Sequence, residues 1–284
     1  MNVIPGVVLA ISAAFSLALA SVFSKILMKI ITPFAINIIR LILGGVFYFV
    51  AILYLGFPSF SREIWVILIL SGILGFTVAD WMFLEGINYL GVSRASLLVT
   101  LHPILTMFIA HFTLGRPLTL SLVAGAGTII CAVILITTET SSRSELNWKG
   151  ITFVFLAQLI WTGTIVIMDW LIEDLSAFVV IGFRIGFAGL ASLVLLFKVG
   201  NEFKKLSKEG WMLIFVTTLL GVILGQYFFA QAIKLMGSSI ATPLMESTPI
   251  LSSVMAVILL KERFSRRLLY ALILTSLGVL LIAL

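Results

Sequence analysis

Two acids and two arginines stand inside long apolar stretches of this sequence, and their types suit the chemistry of moving a solute or a proton. Asp80 and Glu246 are the acids expected at greatest depth, and Arg40 and Arg184 each lie well inside an apolar run. Eight residues of helix from the start of such a run is roughly 12 Å of depth. Charges held there cost ~2.5 to 3.5 kcal/mol each and face protein or a wet cavity. A buried carboxyl, whose charged form burial disfavours, is suited to carry a coupling proton. A guanidinium stays charged at any depth and can clamp an anionic group. The plainer alternatives are that the two acids neutralise the two bases as static pairs, or that the arginines bond carbonyls and reach the interface. His102 has a reference pKa near ~6.5 and is a second candidate for proton transfer, or else a packing residue. No other histidine or cysteine falls at a ligand spacing around it, so no metal site is expected.

Other polar residues accompany these charges. Thr100-Leu101-His102-Pro103 and Glu246-Ser247-Thr248-Pro249 put a proline, with polar neighbours, near the middle of two apolar runs. Proline removes a helical hydrogen bond and kinks the helix. Inside lipid, the freed carbonyl is tolerated where protein or water satisfies it. Pro103 and Pro249 are therefore candidate hinges, with Thr106, Ser252 and Ser253 continuing the polar faces. Asp80-Trp81 and Gln226-Tyr227 each join a polar residue to an aromatic one, which suits an amphipathic solute. Ser12, Ser16, Ala20 and Ser24 recur every four positions, a spacing that lets helices approach closely. Gln158, Trp161 and Thr164 form a second polar and aromatic stripe and a weaker site candidate.

The elements that position these residues follow from composition. Of 284 residues, 61% are hydrophobic and 11% charged, against about a half and a quarter in soluble domains. Ten mainly apolar stretches are each long enough as helices to cross a hydrocarbon core of ~30 Å. They lie near 5–28, 32–55, 64–84, 92–114, 119–138, 148–171, 176–198, 210–231, 238–260 and 265–284, with the longer connections at Thr138 to Asn147 and Val199 to Glu209. The first stretch is too long for a signal sequence and lacks a cleavage pattern, so it reads as a retained span. Cys131 is the single cysteine and excludes an intrachain disulfide. The net charge of +6 is spread singly or in short loop clusters such as Lys204, Lys205 and Lys208, which is membrane-flanking charge and predicts no nucleic-acid partner.

An internal repeat organises the stretches. Shifting the chain by 146 residues aligns Trp65 to Thr138 with Trp211 to Leu284, and 18 of 74 pairs are identical, among them Gly75 with Gly221, Gly91 with Gly237, Ser93 with Ser239 and Pro103 with Pro249. Upstream, a shift of 144 pairs Gly6 with Gly150, Arg40 with Arg184 and Gly45 with Gly189. Each half, 1–140 and 146–284, then holds five spans. Five is odd, so the halves enter the bilayer in opposite senses, and inverted repeats of this kind place a transport site near the midplane between them. The expected fold is all-α: ten transmembrane helices in two inverted five-helix repeats around a central cavity.

This layout resembles the drug/metabolite transporter superfamily, and within it the EamA-type branch, over essentially the whole chain. The features that carry the likeness are Ile38-Ile39-Arg40-Leu41 with Gly182-Phe183-Arg184-Ile185, and Gly91-Val92-Ser93-Arg94-Ala95-Ser96 with Gly237-Ser238-Ser239-Ile240-Ala241-Thr242. A proline-bearing fourth span followed by a charged turn completes them. The turns Gly115-Arg116-Pro117-Leu118-Thr119 and Lys261-Glu262-Arg263-Phe264-Ser265 each depart from the family's Gly-Glu-x-x-Ser/Thr form, the first with arginine for the acid and the second with lysine for the glycine. The resemblance implies alternating access and cytoplasmic termini. The charge count points the other way: thirteen Lys and Arg flank the odd-numbered connections, whereas Arg62, Arg116 and Lys234 mark the opposite side.

The expected function is secondary transport, as export or exchange, of small metabolites such as amino acids or related amphipathic solutes across the cell membrane. Coupling would be to a proton or a counter-solute, in a chain working as a monomer in the lipid bilayer. No P-loop is present and no cofactor is expected. The alternatives are an intramembrane lipid-acting enzyme, for which no H-E-x-x-H or G-x-S-x-G occurs, and a channel, for which no filter-like segment is found.

Overall fold

A chain with this much apolar surface in lipid must satisfy its peptide groups within itself, and an α-helix does so span by span. The computed structural model describes residues 3–90, 98, 101–137, 147–261 and 265–284. Helices occupy all ten expected places: α1 (Val3–Leu27), α2 (Pro33–Leu55), α3 (62–90), α4 (His102–Leu114), α5 (Leu120–Thr137), α6 (Trp148–Asp174), α7 (Ala177–Phe203), α8 (Lys208–Met236), α9 (Ser238–Leu260) and α10 (Arg266–Ala283). Among the described residues eight of these are long and apolar enough to cross a membrane, and α4 and α5 are shorter apolar helices. The chain is a multi-pass membrane protein. Several starts are capped where the chain re-enters a helix. Thr32, Ser61, Ser207 and Ser265 each accept from the backbone N–H three residues on, and Asn147 accepts from Lys149 and Gly150.

Four helices in particular depart from their expected bounds. Both α3 and α8 run past their expected ends, α8 stopping at Gly237, whose φ of +83° suits glycine. Helix α7 continues to Phe203, which shortens the connection expected from Val199. Helix α9, expected as one span, is two helices, Ser238–Met245 and Thr248–Leu260, with Glu246 and Ser247 in the turn between them. The cause is Pro249. It has no N–H to give the Met245 carbonyl four residues back, and the Thr248 hydroxyl donates there instead at 2.6 Å. Ser247 Oγ likewise donates to the Leu244 carbonyl at 2.7 Å. In the corresponding stretch before Pro103, Thr100 lies outside the described residues.

Equivalent helices of the two halves pack against each other: α2 along α7 and α5 along α10, while α3 lies on α6 as α1 lies on α8. The seam contacts give the sense of each pair. A Cβ on Gly189 would meet Leu41, one on Gly186 would meet Phe49, and one on Gly182 would meet Tyr48 and Ile52, so α2 and α7 run antiparallel. Gly125 meets Gly278 and Ile282 while Gly278 meets Ile129, which makes α5 and α10 antiparallel as well. Homologous helices that pair antiparallel are related by a twofold axis across the seam. The two five-helix repeats are inverted.

The α2–α7 seam depends on small residues that let the backbones touch. A Cβ on Gly189 would come 2.6 Å from the Leu41 carbonyl oxygen, and backbone cannot step aside as a side chain can. At Gly163 nothing lies within 4 Å. Gly189→Ala is therefore expected to lower thermal stability by about 1–3 kcal/mol through overpacking, whereas Gly163→Ala leaves it unchanged or raises it through helix propensity by up to about 1 kcal/mol. Melting of the two purified variants in one detergent checks the contrast.

Candidate functional site between the repeats

Two stretches of π-helix interrupt the spans, Ile73–Val78 in α3 and Thr218–Gly225 in α8. In the 146-residue register the first falls on 219–224, inside the second, so the interruption is a property of the repeat. A π turn widens the helix and leaves carbonyls in need of other donors, and such turns gather at functional sites. Here side chains supply them. Trp161 Nε1 on α6 donates to the Gly75 carbonyl at 2.9 Å, Asn37 Nδ2 on α2 to the Phe76 carbonyl at 3.4 Å, and the Tyr48 hydroxyl on α2 to the Ile223 carbonyl at 2.9 Å.

The two arginines reach across the repeat boundary in a reciprocal way. Arg40 of the first half places its Nη2 where a Cβ on Gly221, in the second half's π segment, would stand. Arg184 of the second half lies over the first half's π segment: its Nη2 is 3.4 Å from the place of a Cβ on Gly75, and its guanidinium carbon is 5.4 Å from the centre of the Phe76 ring. At 221 only glycine leaves this room, whereas at 75 a Cβ would meet the Thr164 hydroxyl at 2.9 Å. Among the described residues neither arginine forms a close ion pair with Asp80 or Glu246. Arg40 lies in the field of Asp80, whereas Arg184, 2% exposed, faces an aromatic ring.

Asp80 stands two residues beyond the first π segment. Its Oδ1 accepts from Trp161 Nε1 at 3.1 Å, and Asn37 approaches the same carboxylate. The indole is thus shared between Asp80 and the Gly75 carbonyl. Around it stand Phe83, at 5.3 Å between ring centres, and the buried His102, edge-on at 6.3 Å. His102 Nε2 has no hydrogen-bond partner among the described residues. The result is one cluster drawn from α2, α3, α4 and α6: Asn37, Arg40, Asp80, His102 and Trp161.

The remaining expected site residues are dispersed. Trp81 points away from Asp80, 40% exposed and edge-on to Phe153, because adjacent helical positions diverge by about 100°. Gln226 follows the second π segment, and Tyr227 accepts from Gln231 Nε2 at 3.0 Å and packs on Phe178. Glu246 is partly buried in the break of α9, and the Thr248 hydroxyl is engaged by its own helix. Pro103 and Pro249 each stand at the second position of a helix, His102–Leu114 and Thr248–Leu260. Trp161, a secondary candidate by sequence, is central in space.

A third acid, near the end of a span, was not among the expected site residues. Asp169 on α6 is fully buried, and four hydrogen bonds meet its carboxylate. Arg116, in the α4–α5 turn, donates from Nε at 3.0 Å and Nη2 at 2.6 Å; Ser238, at the start of α9, donates from its backbone N–H at 2.8 Å and its hydroxyl at 2.7 Å. Arg116 Nη2 also meets Glu173 at 2.8 Å. The Asp169 hydrogen bonds hold the Arg116 guanidinium above its ordinary pKa, against the opposing effect of partial burial. The arginine that replaces the expected acid at 116 was the available signal, since a cation there calls for an acid nearby.

Two inverted five-helix repeats with a polar cluster at their boundary are the layout of a membrane transporter. The chain belongs to the EamA-like transporter family, within the drug/metabolite transporter superfamily, and is matched by it over residues 4–138 and 148–284. It is 24% identical over 282 residues, 98% of both chains, to an uncharacterized transporter of Archaeoglobus fulgidus. It is 31% identical over 140 residues, 47% of each chain, to the uncharacterized transporter YoaV of Bacillus subtilis. A solved crystal structure shares the fold with a TM-score of 0.80 at 18% identity, covering 97% of this chain and 95% of the other.

Trp161→Phe keeps the ring and removes the donor shared by Asp80 and Gly75. Leaving those acceptors short is expected to cost about 1–3 kcal/mol of stability. Trp170→Phe, at a ring 45% exposed, should cost less than the central substitution in the same thermal unfolding measurement.

Proposed function

We propose that the protein is an alternating-access secondary carrier that exports or exchanges small amphipathic metabolites, amino acids or close relatives, in a chain that works as a monomer. The observation that carries this reading is the Asp80–Trp161 contact beside Arg40, where a π segment of one repeat meets side chains of the other. A carboxylate, an amide, an indole face and an imidazole nitrogen together offer complementary contacts to a zwitterion with an apolar body. Asp80 is the group assigned to proton or counter-solute coupling, because it is the acid of the cluster and sits within reach of a fixed cation. Glu246, in the break of α9, is assigned to the same cycle in the second repeat.

A thermal-shift screen over amino acids and related solutes identifies the substrate, since a ligand at 100 times its Kd stabilises the native state by about 2.7 kcal/mol. Flux of that solute into proteoliposomes is then expected to saturate, and Asp80→Asn and Glu246→Gln are each expected to cut it about tenfold or more, about 1.4 kcal/mol on the transport barrier. Unchanged flux in both variants contradicts the carboxylate roles.

A further inference from the structure

The buried Asp169 network joins the two repeats at one end of the molecule. Arg116 belongs to the first half, and Asp169, Glu173 and Ser238 to the second. The four residues come from the α4–α5 turn, the end of α6 and the start of α9, which share the face that carries the even-numbered connections. The site is built to hold the guanidinium. Gly237 has φ +83°, and a Cβ there would come 2.8 Å from Arg116 Cδ and 3.0 Å from its Nε. His111 Nδ1 lies 2.7 Å from the Arg116 carbonyl, which can only accept, so the ring nitrogen is the donor and pins the turn. A buried ion pair adds little net stability over apolar packing, but losing one partner is costly, and fixing one arrangement against another is its best-attested use.

We infer that the Arg116–Asp169–Glu173 network, closed by Ser238, is the gate of the even-connection face: formed, it holds that end of the pathway shut, and it must break when that end opens. The two halves cannot separate there while the bidentate Arg116–Asp169 bond and the Arg116–Glu173 contact persist, and the two Ser238 bonds hold Asp169 in place within the second half. Directly beneath the gate, one turn deeper on the same face of α9, stands Thr242, 1% exposed, with a hydroxyl that has no partner among the described residues. In sequence register the gate is charge-reversed: Glu262 corresponds to Arg116, and Lys25 and Lys29 to Asp169 and Glu173.

The inference rests on the carrier reading, and its test needs no substrate. In a Cys131→Ser background, a membrane-impermeant maleimide probes Thr242→Cys, below the gate, and Ser24→Cys, a buried position near the opposite end. Arg116→Gln and Asp169→Asn are expected to raise labelling at 242 by about tenfold, the factor that about 1.4 kcal/mol corresponds to, with labelling at 24 unchanged or lowered. An unchanged rate at 242 overturns the gate. So does an equal rise at both reporters, which marks loss of the fold instead of release of one end. Failure here with saturable flux intact removes the gate alone; absence of saturable flux removes the carrier reading.

Discussion

A peptide carbonyl released inside a hydrocarbon slab has to find a donor within the protein, because no water is there to serve. Two spans of this protein release such carbonyls at matched places, the π segments of α3 and α8. The donors that answer them set the arrangement of the interior. Trp161 serves the first repeat's segment from the second repeat, and Tyr48 serves the second repeat's segment from the first. Each half thus supplies a side chain that the other half's backbone needs. The crossing of Arg40 to Gly221 and Arg184 to Gly75 obeys the same reciprocity. Glycine at 221 follows as a consequence, since a side chain would occupy the place of the Arg40 guanidinium.

The same constraint governs the charges. A charge in this interior is kept only where opposite charge, hydrogen bonds or an aromatic face compensates it. Arg40 has Asp80, Arg184 has the Phe76 ring, and Asp169 has Arg116 and Ser238. These three solutions differ in what they permit. Arg184 rests over the Phe76 ring, and the Asp80 cluster has an indole shared between two acceptors and a histidine nitrogen without a partner among the described residues. The Asp169 network has every bond directed and leaves no slack.

Much of this was legible in the sequence because the repeat is visible in glycine and proline as well as in grease. The 146-residue register set Gly75 opposite Gly221 and Pro103 opposite Pro249, and the antiparallel α2–α7 and α5–α10 seams are what an odd number of spans per repeat entails. The charged residues were visible too, but not whom they would face. Asp80 and Trp161 are 81 residues apart in the chain, and nothing local indicates that one indole N–H would serve both Asp80 and a carbonyl of a π turn. A π segment leaves no compositional mark, because it differs from α-helix by one hydrogen-bond step and not by residue type. Asp169 escaped notice for a related reason. It sits near the end of an apolar span, where an acid reads as interfacial, and its burial comes from Arg116, a turn residue 53 positions away.

The central claim is that the two inverted halves move against each other so that one end opens as the other closes. Spin-label distances test it directly, with pairs at 113 and 174 on the even-connection face, at 28 and 205 on the opposite face, and at 54 and 176 across the α2–α7 seam, all exposed positions. Ligand or a change of pH should shift the populations at the two faces in opposite senses while the seam pair stays fixed. Faces that widen together, or that do not respond while solute is being carried, would contradict the account.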